Sequence, residues 1–192
     1  MLLILVELNY NYFDNNFITG GMKMAKVAFL LANGFEDSEM KNPYDAVKEA
    51  GHEAVIVGLE KGAECKGKKG TVSYTADVGA SEVKAADFDA VVIPGGGAPE
   101  ALRVNDEVVR FVKEVNEDGK LIAGICHGPQ VMISADLLKG KPATSFIGIR
   151  DDVKLAGADY RDEEVVVSEN LVTSRTPKDE PAFIREILAK LS

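Results

Sequence analysis

No stretch of the 192-residue chain approaches the ~18 consecutive apolar residues that a membrane-spanning helix needs, so no membrane partner is expected. Cysteine is scarce. Cys65 and Cys126 stand in dissimilar surroundings, so no disulfide framework is indicated and a reducing compartment, the cytoplasm, fits best. Basic residues are outnumbered 22 to 31 by acidic ones, for a formal charge of −9. A surface of that sign repels phosphate backbones and disfavours nucleic-acid partners. Lys66, Lys68 and Lys69 come nearest to a basic run and read as a solvated turn. Histidine occurs twice, at His52 and His127, and no His/Cys cluster has metal-ligand spacing, so neither a metal nor another cofactor is expected.

The length fits one domain. Residues 1–23 stand apart from it. Their apolar opening is interrupted at Glu7 and preceded by no basic residue, which makes a poor secretory signal. The Asn-, Tyr- and Phe-rich segment that follows has neither helical nor strand period. The expected organisation is an N-terminal extension over 1–23, outside the fold and attributable to a start codon placed too early, then a single domain over 24–192.

Residues 26–33, 54–59, 90–93 and 121–125 are short, nearly continuous apolar runs, the pattern of strands buried on both faces. Helices are expected from an Asn42 cap with Pro43 at the first helical position to Gly51, over 106–118 on the spacing of Val108, Val109, Val112 and Val115, and over 130–138, 151–156 and 178–191. Residues 61–70 read as a loop or hairpin turn, 72–78 as an edge strand, 143–145 as a short strand, and 165–167 with 171–173 as paired strands. Strands alternating with helices imply an α/β fold with a mostly parallel central sheet covered on both faces. Ligands in such folds bind outside the carboxyl ends of the strands, which singles out three loops, over 34–38, 95–100 and 126–129.

Cys126 follows a buried strand directly and precedes a helix, with Gly124 and Gly128 on either side. Small residues there permit the tight strand-to-helix turn of a nucleophile elbow, and the positive end of the next helix favours a thiolate. The competing reading is a small buried hydrophobe, which is what most free cysteines are. His127 offers its amide N–H to an oxyanion hole and its ring to proton transfer. His52, in a helix-to-strand loop at the opposite end of the sheet, reads as an exposed bystander, and Cys65 as incidental. Glu36, Asp37 and Glu39 crowd the loop after the first strand. Either one of them faces Cys126, where a buried carboxyl can keep its proton and give a hydrogen bond to sulfur, or all simply decorate a helix N-terminus. The glycines at 95–97 let backbone amides approach a ligand and supply a second oxyanion donor. They lack both the Walker lysine and the dinucleotide-binding spacing.

Phe35-Glu36-Asp37, Pro94-Gly95-Gly96, Ala98-Pro99-Glu100, the segment from Gly124 to Gln130, and Thr173-Ser174-Arg175-Thr176-Pro177 together resemble the PfpI family. The likeness runs nearly from Met24 to Leu191. It implies a flavodoxin-like three-layer sandwich of the class I glutamine-amidotransferase-like superfamily. It also implies activity as an intracellular cysteine peptidase or as a stress-protective deglycase or glyoxalase acting on glyoxal and methylglyoxal damage. By the same resemblance Cys126 is the nucleophile, Glu36 the carboxyl bonded to it, His127 the adjacent imidazole, and the amides of Gly96 and His127 the oxyanion hole. A homo-oligomer, dimer or hexamer, is implied, with Glu100 orienting the histidine of a neighbouring subunit. Phe146 stands where some peptidase-like members carry a tyrosine, which weighs against strict peptidase activity. The expected substrate is a small aldehyde or a protein; a redox-sensing stress protein, its low-pKa cysteine readily oxidised, is the third expectation.

Overall fold

A computed structural model describes residues 24–192. The N-terminal extension expected over 1–23 lies outside the described residues. The elements run β1 (Lys26–Leu30), α1 (Asp37–Glu49), β2 (Glu53–Gly58), β3 (Glu64–Lys66), β4 (Ser73–Thr75), β5 (Val78–Gly79), β6 (Ala90–Ile93), α2 (Ala98–Leu102), α3 (Asp106–Glu117), β7 (Leu121–Ile125), α4 (Pro129–Ser134), β8 (Pro142–Ala143), α5 (Arg150–Leu155), β9 (Asp159–Tyr160), β10 (Val165–Ser168), β11 (Leu171–Ser174) and α6 (Glu180–Leu191).

Seven strands form the central sheet in the order β10-β11-β7-β6-β1-β2-β5. All pairings are parallel except that of β10 with β11. Every residue of β6 and β7 is buried, and all but the first of β1. A strand covered on both faces has no polar side to show, which is why these segments read as unbroken apolar runs. Helix α1 packs with α6, and α2 and α3 pack with α4 on the other side of the sheet, giving the three-layer, flavodoxin-like sandwich. Among the described residues no helix is long and apolar enough to cross a membrane.

Helix α3 shows how local sequence builds one layer. The Asn105 side chain accepts from Val108 N–H at 3.1 Å, acids occupy the first turn, and Val108, Phe111, Val112 and Val115 form one buried face. Gly119, at φ +69°, takes the left-handed position just beyond the end.

Helix α1 departs from expectation. It begins at Asp37, with Glu36 at the cap, and Pro43 lies inside it rather than at its start. Proline removes only the donor for the carbonyl of Glu39, and tertiary anchors fix the first turn instead. Glu36 N–H donates to Gly95 O at 3.0 Å. The Asp37 carboxylate accepts from the Thr71 hydroxyl at 2.6 Å and from the N–H groups of Lys69, Thr71 and Val72 at 2.9, 2.8 and 3.3 Å. These bonds tie the antiparallel β3–β4 hairpin to the start of α1. The segment containing Lys68 and Lys69 is therefore not a free solvated turn. Its backbone is pinned beside the first loop, and Lys68 N–H donates to Phe35 O at 2.8 Å.

His52 is also corrected. It is buried, and its Nδ1 accepts from Ala25 N–H at 3.2 Å just ahead of β1. That position is at the opposite end of the sheet from Cys126, as expected, but the ring is a packed acceptor and not an exposed bystander. Cys65 is buried in β3, and burial pushes its thiol up.

The Asp37 anchor has a pH signature. Burial alone would raise its pKa, but the Thr71 hydroxyl and the three amides outweigh it and hold the carboxyl at about 2, below its ordinary 3.8. Its stabilisation is therefore complete above the ordinary value and lost as the pH falls through about 2. In urea unfolding followed by circular dichroism, Asp37→Asn should be less stable than the parent at pH 5, with the gap closing toward pH 2. A gap independent of pH would reject the charged anchor.

Candidate active site

The three loops singled out by topology meet at the carboxyl ends of β1, β6 and β7, and backbone bonds lock two of them together. Glu36 N–H donates to Gly95 O, and Gly97 N–H donates to Gly34 O at 2.8 Å. Glycine is obligatory at the crossing. A Cβ on Gly96, at φ +80°, would lie 2.5 Å from Gly34 O and Glu36 N, and one on Gly95 would lie 2.6 Å from Cys126 Cβ and from Glu39 Oε2.

Cys126 occupies the elbow with φ +61°, a left-handed conformation rare for residues other than glycine. It is held there by Cys126 N–H to Ser174 O and Phe146 N–H to Cys126 O, both 3.0 Å, and by Gly128 N–H to Ile125 O at 2.7 Å. A side chain on Gly128 would overlap the carbonyl oxygen of Ile93. The amides of Gly96 and His127, the two expected oxyanion donors, both point to the Cys126 sulfur.

The carboxyl beside that sulfur belongs to Glu39, not Glu36. Glu39 is fully buried, its Oε2 accepts from Gly95 N–H at 2.9 Å, and its carboxyl lies beside the Cys126 side chain, close enough for each to act on the other's proton. Glu36 turns the other way, into ion pairs with Lys68 and Lys69. Burial would raise its pKa, but the two ammonium groups hold it below the ordinary carboxylate range. The physical reason for the exchange is the early start of α1. With the cap at Glu36, that side chain leaves the helix toward the hairpin, while Glu39, at the end of the first turn, projects under the glycine loop.

Burial pushes the Glu39 carboxyl up to about 8, helped by the charges of Glu36 and Glu180 and opposed by the Gly95 N–H. Burial first, and then the charge of an ionised Glu39, push the Cys126 thiol up to about 12. The macrodipole expected to lower the thiol does not dominate, because α4 has only six residues and Cys126 is buried. The two groups titrate as a pair. When the proton sits on Glu39, the repulsion that lifts the thiol disappears, and the carboxylic acid becomes a donor to the sulfur.

His127 is half-buried, with Nδ1 3.2 Å from Cys126 Sγ and its ring stacked on Phe146 at 4.9 Å between centroids. Burial, then the Lys68 charge, lower its pKa and favour the neutral ring at neutral pH. Phe146 thus orients the imidazole by stacking, without the hydroxyl of a tyrosine. Glu100, exposed on α2, acts on the His127 of its own chain as a nearby charge. Lys68, missed in the sequence as a contributor, lies close enough to act on both Cys126 and His127. The signal that could have found it is the glycine pair flanking a short lysine turn directly after a strand.

Substitution separates the two glutamates. With the shared proton resting on Glu39, as the reactive pair requires, Glu39→Gln should raise the Cys126 thiolate pKa by about one unit or more, because an amide N–H is a weaker donor to a thiolate than a carboxylic acid. Glu36→Gln should move it far less. Thiolate ultraviolet absorbance against pH, with Cys126→Ala as the blank, measures both. A fall in the Glu39→Gln variant would place the proton on sulfur instead.

Residues 25–190 match the model of the DJ-1/PfpI family. The chain is 50% identical over 167 residues to general stress protein 18 of Bacillus subtilis, an alignment covering 86% of this chain and 97% of that one. It is 48% identical over 166 residues to deglycase PfpI of Pyrococcus furiosus, covering 86% and 99%. Among solved structures, a two-domain protein of Anabaena variabilis with DJ-1/ThiJ/PfpI-like and ferritin-like domains superposes with a TM-score of 0.85 at 51% identity. That match covers 86% of this chain and 49% of the other. With its parallel sheet, cysteine elbow and glycine loop in place, this chain belongs to the DJ-1/PfpI family.

Proposed function

We propose that the chain is a cysteine-dependent hydrolase that removes glyoxal and methylglyoxal adducts, a deglycase serving stress protection in the cytoplasm. One observation carries the reading: Cys126 is only 8% exposed, walled by the three loops, beside a buried carboxyl and two inward-facing amides. A small aldehyde can reach such a sulfur, whereas an extended peptide needs an open cleft for its flanking residues.

In an early adduct the former aldehyde carbon bears the amine and a hydroxyl. Sulfur replaces the amine there, the Glu39 proton passes to the departing nitrogen, and a hemithioacetal and the repaired amine result. A proton then moves from that carbon to its neighbour through an enediolate. The neutral His127 ring carries it, and the amides of Gly96 and His127 hold the oxyanion. The product is a thioester of a 2-hydroxy acid. Water cleaves it to the hydroxy acid and returns a proton to the Cys126–Glu39 pair.

Purified protein should consume methylglyoxal with release of lactate and show little cleavage of unfolded casein, and Cys126→Ala should lose at least about a hundredfold of the first activity. Casein cleavage as the main Cys126-dependent activity would favour the peptidase reading instead.

The reading includes a homo-oligomer in which Glu100 reaches a neighbouring subunit's His127. Glu100 is exposed, and Val104, just beyond α2, is 78% exposed, as a surface awaiting a partner would be. Mixing inactive Cys126→Ala and Glu100→Gln subunits then rebuilds complete sites at about a quarter of positions in a random assembly. Recovery of activity on mixing supports the shared site; none means that Glu100 acts within its own chain.

A further inference from the structure

A second buried carboxyl lies behind the first. Glu180 opens α6 and is 4% exposed. Its Oε2 accepts from Asn42 Nδ2 at 2.5 Å, and Asn42 stands one turn after Glu39 on α1, where α1 packs against α6. Among the described residues, Oε1 of Glu180 and Oε1 of Glu39 are both buried without a hydrogen-bond partner. The first turn of a 12-residue helix is a favourable place for a negative charge. No basic side chain bonds to Glu180 in the structure as described.

We propose that Glu180 is a positioning residue of the active site: from the start of α6 it acts through Glu39, disfavouring charge on that carboxyl and so moving the shared proton from sulfur to Glu39. This deepens the reading of Cys126 and Glu39 as the reactive pair and rests on it. The groups around Glu39 decide the direction. Glu36, at the cap of α1, also opposes charge on Glu39, although it is paired with Lys68 and Lys69 from the hairpin. Cys126, from the elbow, is the partner in the exchange, and His127 lies against the sulfur. Lys68 also attracts charge on both Glu39 and Cys126, and so favours neither strongly. Glu180 is the second carboxyl whose charge opposes charge on Glu39, and it approaches from the opposite element, α6. Like charges within one buried site do not ionise together easily.

Glu180→Gln is the clean test, because the glutamine carbonyl still accepts from Asn42 while the charge is gone. Thiolate absorbance and iodoacetamide labelling of Cys126 are followed across pH in the parent, Glu180→Gln and Glu39→Gln, with Cys126→Ala subtracting Cys65. Glu180→Gln should lower labelling at neutral pH by roughly three- to tenfold, the size of a like-charge effect at short range. It should also move part of the thiolate absorbance to a more alkaline step, with the thermal midpoint little changed. Glu180→Asp should restore most of the parental profile. If Glu39→Gln alters the profile and Glu180→Gln does not, Glu180 is structural and the inference is overturned while the reactive pair stands. If neither alters it, the reactive pair itself is wrong, and the inference falls with it. Loss of folding in Glu180→Gln would also overturn it, since a charge-only role leaves the hydrogen bond intact.

Discussion

Two buried groups, the Cys126 thiol and the Glu39 carboxyl, share a space that tolerates one negative charge and resists two. Burial raises both pKa values, an ionised Glu39 raises that of the thiol further, and the Cys126 side chain lowers that of the carboxyl. Everything around them bears on where the single proton rests. The Gly95 amide binds the carboxyl, and the amides of Gly96 and His127 face the sulfur. A site so balanced changes state with a small energetic input, which suits chemistry in which a proton must leave and return within one turnover.

The backbone makes that closeness possible, and glycine is the means. At Gly95, Gly96 and Gly128 even a methyl group would overlap a neighbouring loop or strand. Cys126 accepts a left-handed backbone in the same small volume, a conformation costing about 1–3 kcal/mol that its flanking hydrogen bonds must offset. The parallel sheet supplies the rigid base. β6 and β7 are buried along their full length, so the loops at their carboxyl ends start from fixed positions.

Much of this was legible in the sequence. Continuous apolar runs gave the buried strands, because a strand covered on both faces cannot alternate. Cys126 and His127 could be named because a strand, small residues and a helix start in that order leave few other turns available, whereas Gly96 was singled out from its loop only by the family resemblance. Glu39 was missed for an identifiable reason. Pro43 after Asn42 is a strong local start signal, and it pulled the expected helix six residues downstream of the observed one. Which carboxylate of Glu36, Asp37 and Glu39 faces the sulfur depends on the phase of that helix, and tertiary bonds to Gly95 and the hairpin set the phase. His52 was misread likewise, because its bond to Ala25 N–H joins segments 27 residues apart.

The lysine turn is the clearest case of long-range information overriding local reading. Lys68 and Lys69 look like solvated charges until Asp37 is seen to hold their backbone against α1. Once there, they neutralise Glu36. That commits one buried acid of the site to cations, leaving Glu39 next to the sulfur and Glu180 behind it. Without the hairpin, Glu36 would stand beside Glu39 with no cations to pair it. With it, one acid is committed to its cations, and the other two meet as unequal neighbours across the α1–α6 contact. The overall excess of acidic residues thus reappears at atomic scale: the cations of this site are placed to decide which carboxylate keeps a proton.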